Sequence, residues 1–110
     1  MLTGQKVRLV MWRTGSDSEG SVIVVRGMVT DESETILRVE GRLYQQVPDE
    51  SGDTIERPIG TENKPLIIPL ATVRYGEVIE SGTPAEELDR KIRLLKPLGK
   101  GEIRKIGGLT

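Results

Sequence analysis

Apolar and polar residues alternate along most of the first eighty positions and then change to helical spacing. Lys6–Arg13 (KVRLVMWR) sets Val7, Leu9 and Met11 on one side and Arg8, Val10 and Trp12 on the other, the period-2 pattern of a strand. Thr14–Gly20 (TGSDSEG) reads as a turn. Ser21–Thr30 (SVIVVRGMVT) is a nearly continuous β-branched run, expected to be covered on both faces or to pass from one half of a barrel to the other. Gly27 inside it marks a bend, since glycine weakens a strand unless the chain must coil there. After the polar turn Asp31–Glu34 comes Thr35–Val47, with Leu37, Val39, Gly41 and Leu43 on one face and Arg38, Glu40, Arg42 and Tyr44 on the other. Gly41 supplies a second bend.

Residues 48–65 (PDESGDTIERPIGTENKP) interrupt the alternation with three prolines, two glycines and many acids, and predict a long acidic loop, of which Thr54–Ile59 could extend the preceding hairpin. Leu66–Pro69 is a short strand, Leu70–Thr72 a turn, and Val73–Glu80 the last strand. Thr83-Pro84-Ala85-Glu86 is then a capping box with proline at the first helical position, followed by Leu88, Ile92 and Leu95 as one apolar stripe. Pro97 stops this helix. The organisation expected is a small β-barrel over residues 1–82, a helix over 83–96 and a basic tail over 97–110. Five strands, two of them bent by interior glycines, give a mainly β fold: a strongly bent small barrel with a C-terminal helix.

Composition narrows the chemistry. The chain has 110 residues with no cysteine and no histidine, which removes disulfides, thiolate nucleophiles, imidazole bases and the usual zinc ligands. No calcium loop, nucleophile elbow, P-loop or dinucleotide fingerprint is present, and the acids sit in turns, where they serve local hydrogen bonding and solvation. The expectation is a protein that is not an enzyme, with no catalytic residues, metal, cofactor or small-molecule substrate. No signal sequence or membrane-length apolar run is visible, so a cytoplasmic location is the default. Charge is uneven: residues 1–80 carry nine Lys/Arg against thirteen Asp/Glu, whereas residues 81–110 carry seven against four. An acidic body thus bears a basic tail.

The strand pattern resembles the Sm-like (LSm) small-barrel family. Val25–Glu40 (VRGMVTDESETILRVE) is similar to the first Sm motif, and Ile67–Val78 (IIPLATVRYGEV) to the second, separated by the stretch expected to loop. The resemblance covers roughly residues 5–80 and implies a homo-oligomeric ring joined through strand edges, with RNA as a candidate partner. Asp31 matches the aspartate of the first motif, but Thr35 stands where that family has asparagine, and Pro69 and Leu70 stand where it has Arg-Gly. The candidate RNA-binding residues are Asp31, Thr35 and Arg74 near a pore, with Arg90, Lys91 and Arg93 for phosphate contacts. The basic tail also fits a helix C-terminus or the acidic body of a neighbouring copy. The alternative is an SH3-like protein-interaction or scaffold module that binds no nucleic acid.

Overall fold

The computed structural model describes residues 1–12 and 22–99. Five antiparallel strands form one sheet: β1 (Lys6–Met11), β2 (Ile23–Glu32), β3 (Ile36–Pro48), β4 (Thr54–Pro69) and β5 (Val73–Val78). Their order across the sheet is β4-β3-β2-β1-β5, and a single helix, α1 (Pro84–Arg93), follows. The strands fall where the alternation places them, with one large exception. The stretch expected to be a loop over 48–65 is mostly strand, and only the turn at residues 49–53 separates β3 from the sixteen-residue β4. In that turn the Asp49 carboxylate accepts from the N–H groups of Ser51 and Asp53 and from the Ser51 hydroxyl, and Gly52 takes a positive φ of 91°.

The prolines do not break β4 because it is an edge strand, which pairs through alternate residues only. Leu70 N–H donates to the Thr35 carbonyl across the Ile36–Pro69 pair, so the backbone groups of Pro69, and by alternation Ile67 and Pro65, point away from β3. Pro58 also faces outward, and its carbonyl accepts from Leu98 N–H. Between Gly41 and Leu43 the register slips, and Gly60, at φ 80°, begins the four residues left opposite Arg42. The Arg42 guanidinium fills this bulge, donating to the Gly60 carbonyl and to the Arg93 carbonyl at the end of α1.

The sheet is sharply curled. Gly27 and Gly41 are cross-strand partners whose side-chain positions fall on the same face as Val25, Val29 and Val39. A Cβ on Gly27 would lie 2.6 Å from the Gly41 Cα, and one on Gly41 would lie 2.8 Å from the Gly27 Cα. No other residue type permits this approach. The concave face holds the main core, Val7, Leu9, Val25, Val29, Leu37, Val39 and Ile68. The curl also lets the three-residue 3-10 turn Leu70–Thr72 connect strands at opposite edges: Leu70 N–H bonds Thr35 beside β3, and Trp12 N–H bonds the Thr72 carbonyl beside β1. The two edges approach at this corner, but no ladder joins β4 to β5, so the sheet is open among the described residues.

The outer face carries a second, smaller core of Val10, Val24 and Tyr44, covered by Ile92 of α1. The helix begins as the capping box predicts. Thr83 Oγ1 accepts from Glu86 N–H at 3.3 Å, while the Glu86 carboxylate reaches back one residue further, to Gly82 N–H at 3.1 Å. It ends at Arg93, earlier than the 83–96 expected. Of the apolar stripe Ile92 is buried and Leu88 is exposed, because Asp89 takes the inward position beside it. No helix among the described residues is long and apolar enough to cross a membrane.

The glycine pair gives a direct test. Gly41→Ala is expected to destabilise the fold by about 1–3 kcal/mol through overpacking against β2. Urea denaturation monitored by Trp12 fluorescence measures this, and an unchanged midpoint would show that the strands can separate freely at this row.

Candidate functional site

The residues proposed for RNA are divided by the fold. Asp31 is exposed at a bulge in β2, its carboxylate accepting from Glu32 N–H at 2.9 Å. Thr35 is exposed in the turn before β3, and its carbonyl holds Leu70. Arg74 is exposed on β5 with its guanidinium 5.8 Å from the Trp12 ring centroid. Thr35 and Arg74 therefore flank the same 3-10 turn. Arg90, Lys91 and Arg93 lie instead on α1, over the outer face, and each approaches an acid one turn earlier: Glu86 at 3.6 Å, Glu87 at 3.9 Å and Asp89 at 3.4 Å. The Lys91–Glu87 pair is largely exposed and contributes little to stability. The tail cations Lys100, Arg104 and Lys105 lie outside the described residues.

A cluster that the alternation does not announce sits under α1. Arg8, Arg26 and Arg42 occupy adjacent positions in one row across β1, β2 and β3. Glu56 of β4 accepts from Arg8 at 2.6 Å and from Arg26 at 2.9 Å. Arg26 also donates to Asp89 of α1 at 2.9 Å, and Asp89 in turn faces Arg93. Arg26 and Asp89 are 5% and 1% exposed, so their charges are compensated within this cluster, Arg26 by Glu56 and Asp89, and Asp89 by Arg26 and Arg93. Burial pushes the Glu56 carboxyl up, but the hydrogen bond from Arg8 and the nearby charge of Arg26 outweigh it, and Glu56 is held below its ordinary value. Both carboxylates are thus committed as acceptors to guanidinium groups, an arrangement that anchors a helix. Among the described residues no three acids converge as a cation site.

Tyr44 Oη and Arg42 Nε are buried under α1 without a hydrogen-bond partner among the described residues, and at the surface unpaired backbone groups line the edge of β5. Ile79 N–H donates to the Lys6 carbonyl, which fixes the Val7–Val78 pair as one whose backbone groups point away from each other. By alternation the N–H and C=O of both Gly76 and Val78 face outward, with no partner among the described residues. This edge has no proline. By contrast, β4 over residues 65–69 has an outward N–H only at Ile67. Beside the β5 edge the open sheet leaves a slot of about 230 Å³, lined by Leu9, Leu37, Leu70, Val73, Gly76 and Val78 among others. On the other side of β5, Trp12 and Tyr75 are 58% and 51% exposed, and Tyr75 Oη donates to Glu77 at 3.1 Å. Along the sequence Trp12 and Tyr75 are separated aromatics; the β1–β5 pairing brings them together around Arg74. The signal available in advance was the absence of proline from Val73–Glu80 beside its abundance in 48–69.

Comparison with protein-family models, with curated proteins and with solved structures finds no match to this chain.

Two outcomes follow for the ionic cluster. Asp89→Leu, which leaves buried Arg26 only the Glu56 carboxylate it shares with Arg8, is expected to cost about 3 kcal/mol, and adding Arg26→Met should recover most of that loss; a double-mutant cycle in urea reads the coupling. Because the folded-state value of Glu56 is depressed, its contribution is present above the ordinary value of 4.5 and is lost as pH falls through the lower folded value. Melting temperature followed downward from pH 6 should therefore fall below about pH 4.5, and Glu56→Gln should remove part of that dependence.

Proposed function

We propose that this chain is a non-enzymatic protein-interaction module, a small SH3-like or Sm-like barrel left open on one side, whose working surface is the edge of β5. The observation that supports it is the coincidence of free backbone groups at Gly76 and Val78 with an apolar slot leading to the core. A strand laid along β5 pairs those groups and covers apolar surface at the same time, the physical basis of recognition by strand addition. The edge is unguarded, whereas β4 carries outward prolines, a common protection against uncontrolled pairing.

The second reading is a homo-oligomeric Sm-like ring with RNA as a further partner. It draws on β4 and β5 being the two outermost strands of one sheet and on Thr35 and Arg74 lying on either side of one turn. There the added strand is β4 of a neighbouring copy, and Asp31, Thr35 and Arg74 meet the RNA while Arg90, Lys91 and Arg93 approach phosphates. Ile67 supplies the single outward N–H over Pro65–Pro69, so that ladder would be short, and the first reading is preferred.

Size-exclusion chromatography with light scattering and amide hydrogen exchange separate the two. The first reading expects a 12.1 kDa monomer at micromolar concentration, with Gly76 and Val78 amides exchanging fast while those of Tyr75 and Glu77 are protected. A stable multiple of that mass with Gly76 and Val78 protected establishes the ring. Protection of Gly76 and Val78 in a monomer overturns the open edge altogether. Salt-sensitive binding to poly-U or poly-A, lost in Arg74→Glu, would favour the RNA reading.

A further inference from the structure

We infer that the β5 edge binds an antiparallel peptide strand carrying apolar residues at two alternate positions and a carboxylate directly after the second, an inference that rests on β5 being the interaction edge. A strand that pairs with Val78 and Gly76 exchanges backbone hydrogen bonds at those two positions, and its side chains there fall on the same face as theirs. That face is the core face. A Cβ at Gly76 would point to within 3.0 Å of the Leu9 Cδ2, and Val78 packs against the main core cluster. Both incoming side chains therefore lie over the apolar slot, which Leu9, Gly76 and Val78 line.

The intervening residue falls on the outer face opposite Glu77, whose carboxylate is already engaged by Arg8 at 3.4 Å and by Tyr75 Oη. A neutral polar residue suits that position. β5 bulges at Arg74, since Val10 pairs with Tyr75 and Met11 with Val73. Arg74 and Tyr75 therefore both lie on the outer face, where the residue directly after the second apolar one meets them. The cations of α1 each face an acid on their own helix, and Arg8 and Arg26 share Glu56. Arg74 has no carboxylate partner among the described residues and rests on the Trp12 ring, which holds the guanidinium in place while leaving its edge free. The charge missing from the site is thus negative, and the antiparallel direction puts it on the C-terminal side of the apolar pair.

The test uses the full chain and a fluorescent hexapeptide, acetyl-Thr-Val-Thr-Val-Asp-Thr-amide, in anisotropy titrations at low salt. N-methylation of both valines, which removes the pairing N–H groups and keeps the side chains, is expected to weaken binding by about tenfold or more. Replacing both valines by serine should cost a similar factor. Replacing Asp by Lys should cost about fivefold, an effect that shrinks with salt, and Arg74→Glu should reverse the preference between the Asp and Lys peptides. If N-methylation weakens binding but the valine and aspartate changes do not, the apolar-and-acidic strand pattern is overturned while the interaction edge stands. Equal binding of the N-methylated peptide, or no binding of any peptide at millimolar concentration, overturns both. Displacement of the peptide by oligo-uridylate through Arg74 would assign that cation to phosphate and overturn the carboxylate.

Discussion

The close crossing of β2 over β3 at Gly27 and Gly41 sets the shape of everything else. Two strands can approach this tightly on their concave face only where neither carries a Cβ. The bend wraps the sheet around Val7, Leu9, Val25, Val29 and Val39, and it swings the ends of β4 and β5 close enough for three residues to connect them. Without the curl, strands at opposite edges of a five-stranded sheet would need a long crossover. The same curl stops short of closure, and so it leaves β5 with unpaired backbone groups beside exposed core residues.

The helix is held by a different kind of interaction. Its apolar contact is small, with Ile92 resting on Val10, Val24 and Tyr44. The rest of its docking is ionic, through Asp89 to Arg26, with Arg26 shared by Glu56 and Glu56 shared by Arg8. A buried charge network adds little net stability over an apolar equivalent, but it tolerates few alternative arrangements because each lost partner leaves a desolvated charge. It fixes where α1 sits, and Arg42 strengthens that placement by donating to the carbonyl of Arg93.

These features divide the molecule by role. The outer face under α1 is covered and its carboxylates are occupied by guanidinium groups, while Tyr44 Oη and Arg42 Nε stay buried there without a hydrogen-bond partner among the described residues. The β4 edge is guarded by prolines and partly occupied by Leu98. What is left is the corner where β5, Trp12 and the 3-10 turn meet, with free backbone donors and acceptors, exposed aromatics and one cation without a carboxylate. The accessible unpaired backbone groups at this edge are what the proposed interaction surface rests on.

Local order was legible in the sequence wherever one residue's neighbours in the chain decide its state. Alternation placed β1, β2, β3 and β5, interior glycines located the bends, and Thr83 to Glu86 announced the helix start. The reading of 48–65 as a loop failed because proline and polar residues count against a strand only when both of its sides must pair; at an edge, prolines at alternate positions cost nothing. Arg26, Glu56 and Asp89 could not be matched in advance, since the chain separates them by thirty residues or more and charged residues in strands ordinarily face water. Likewise Trp12, Arg74 and Tyr75 become one surface only when β5 pairs with β1. Most of the strand segments, their bends and the start of the helix follow from the order of residues, because local sterics and hydrogen bonding settle them. Which edge stays open, which charges are buried together and which side chains share the free corner are settled only in the folded chain, because they depend on strand order and register between distant segments.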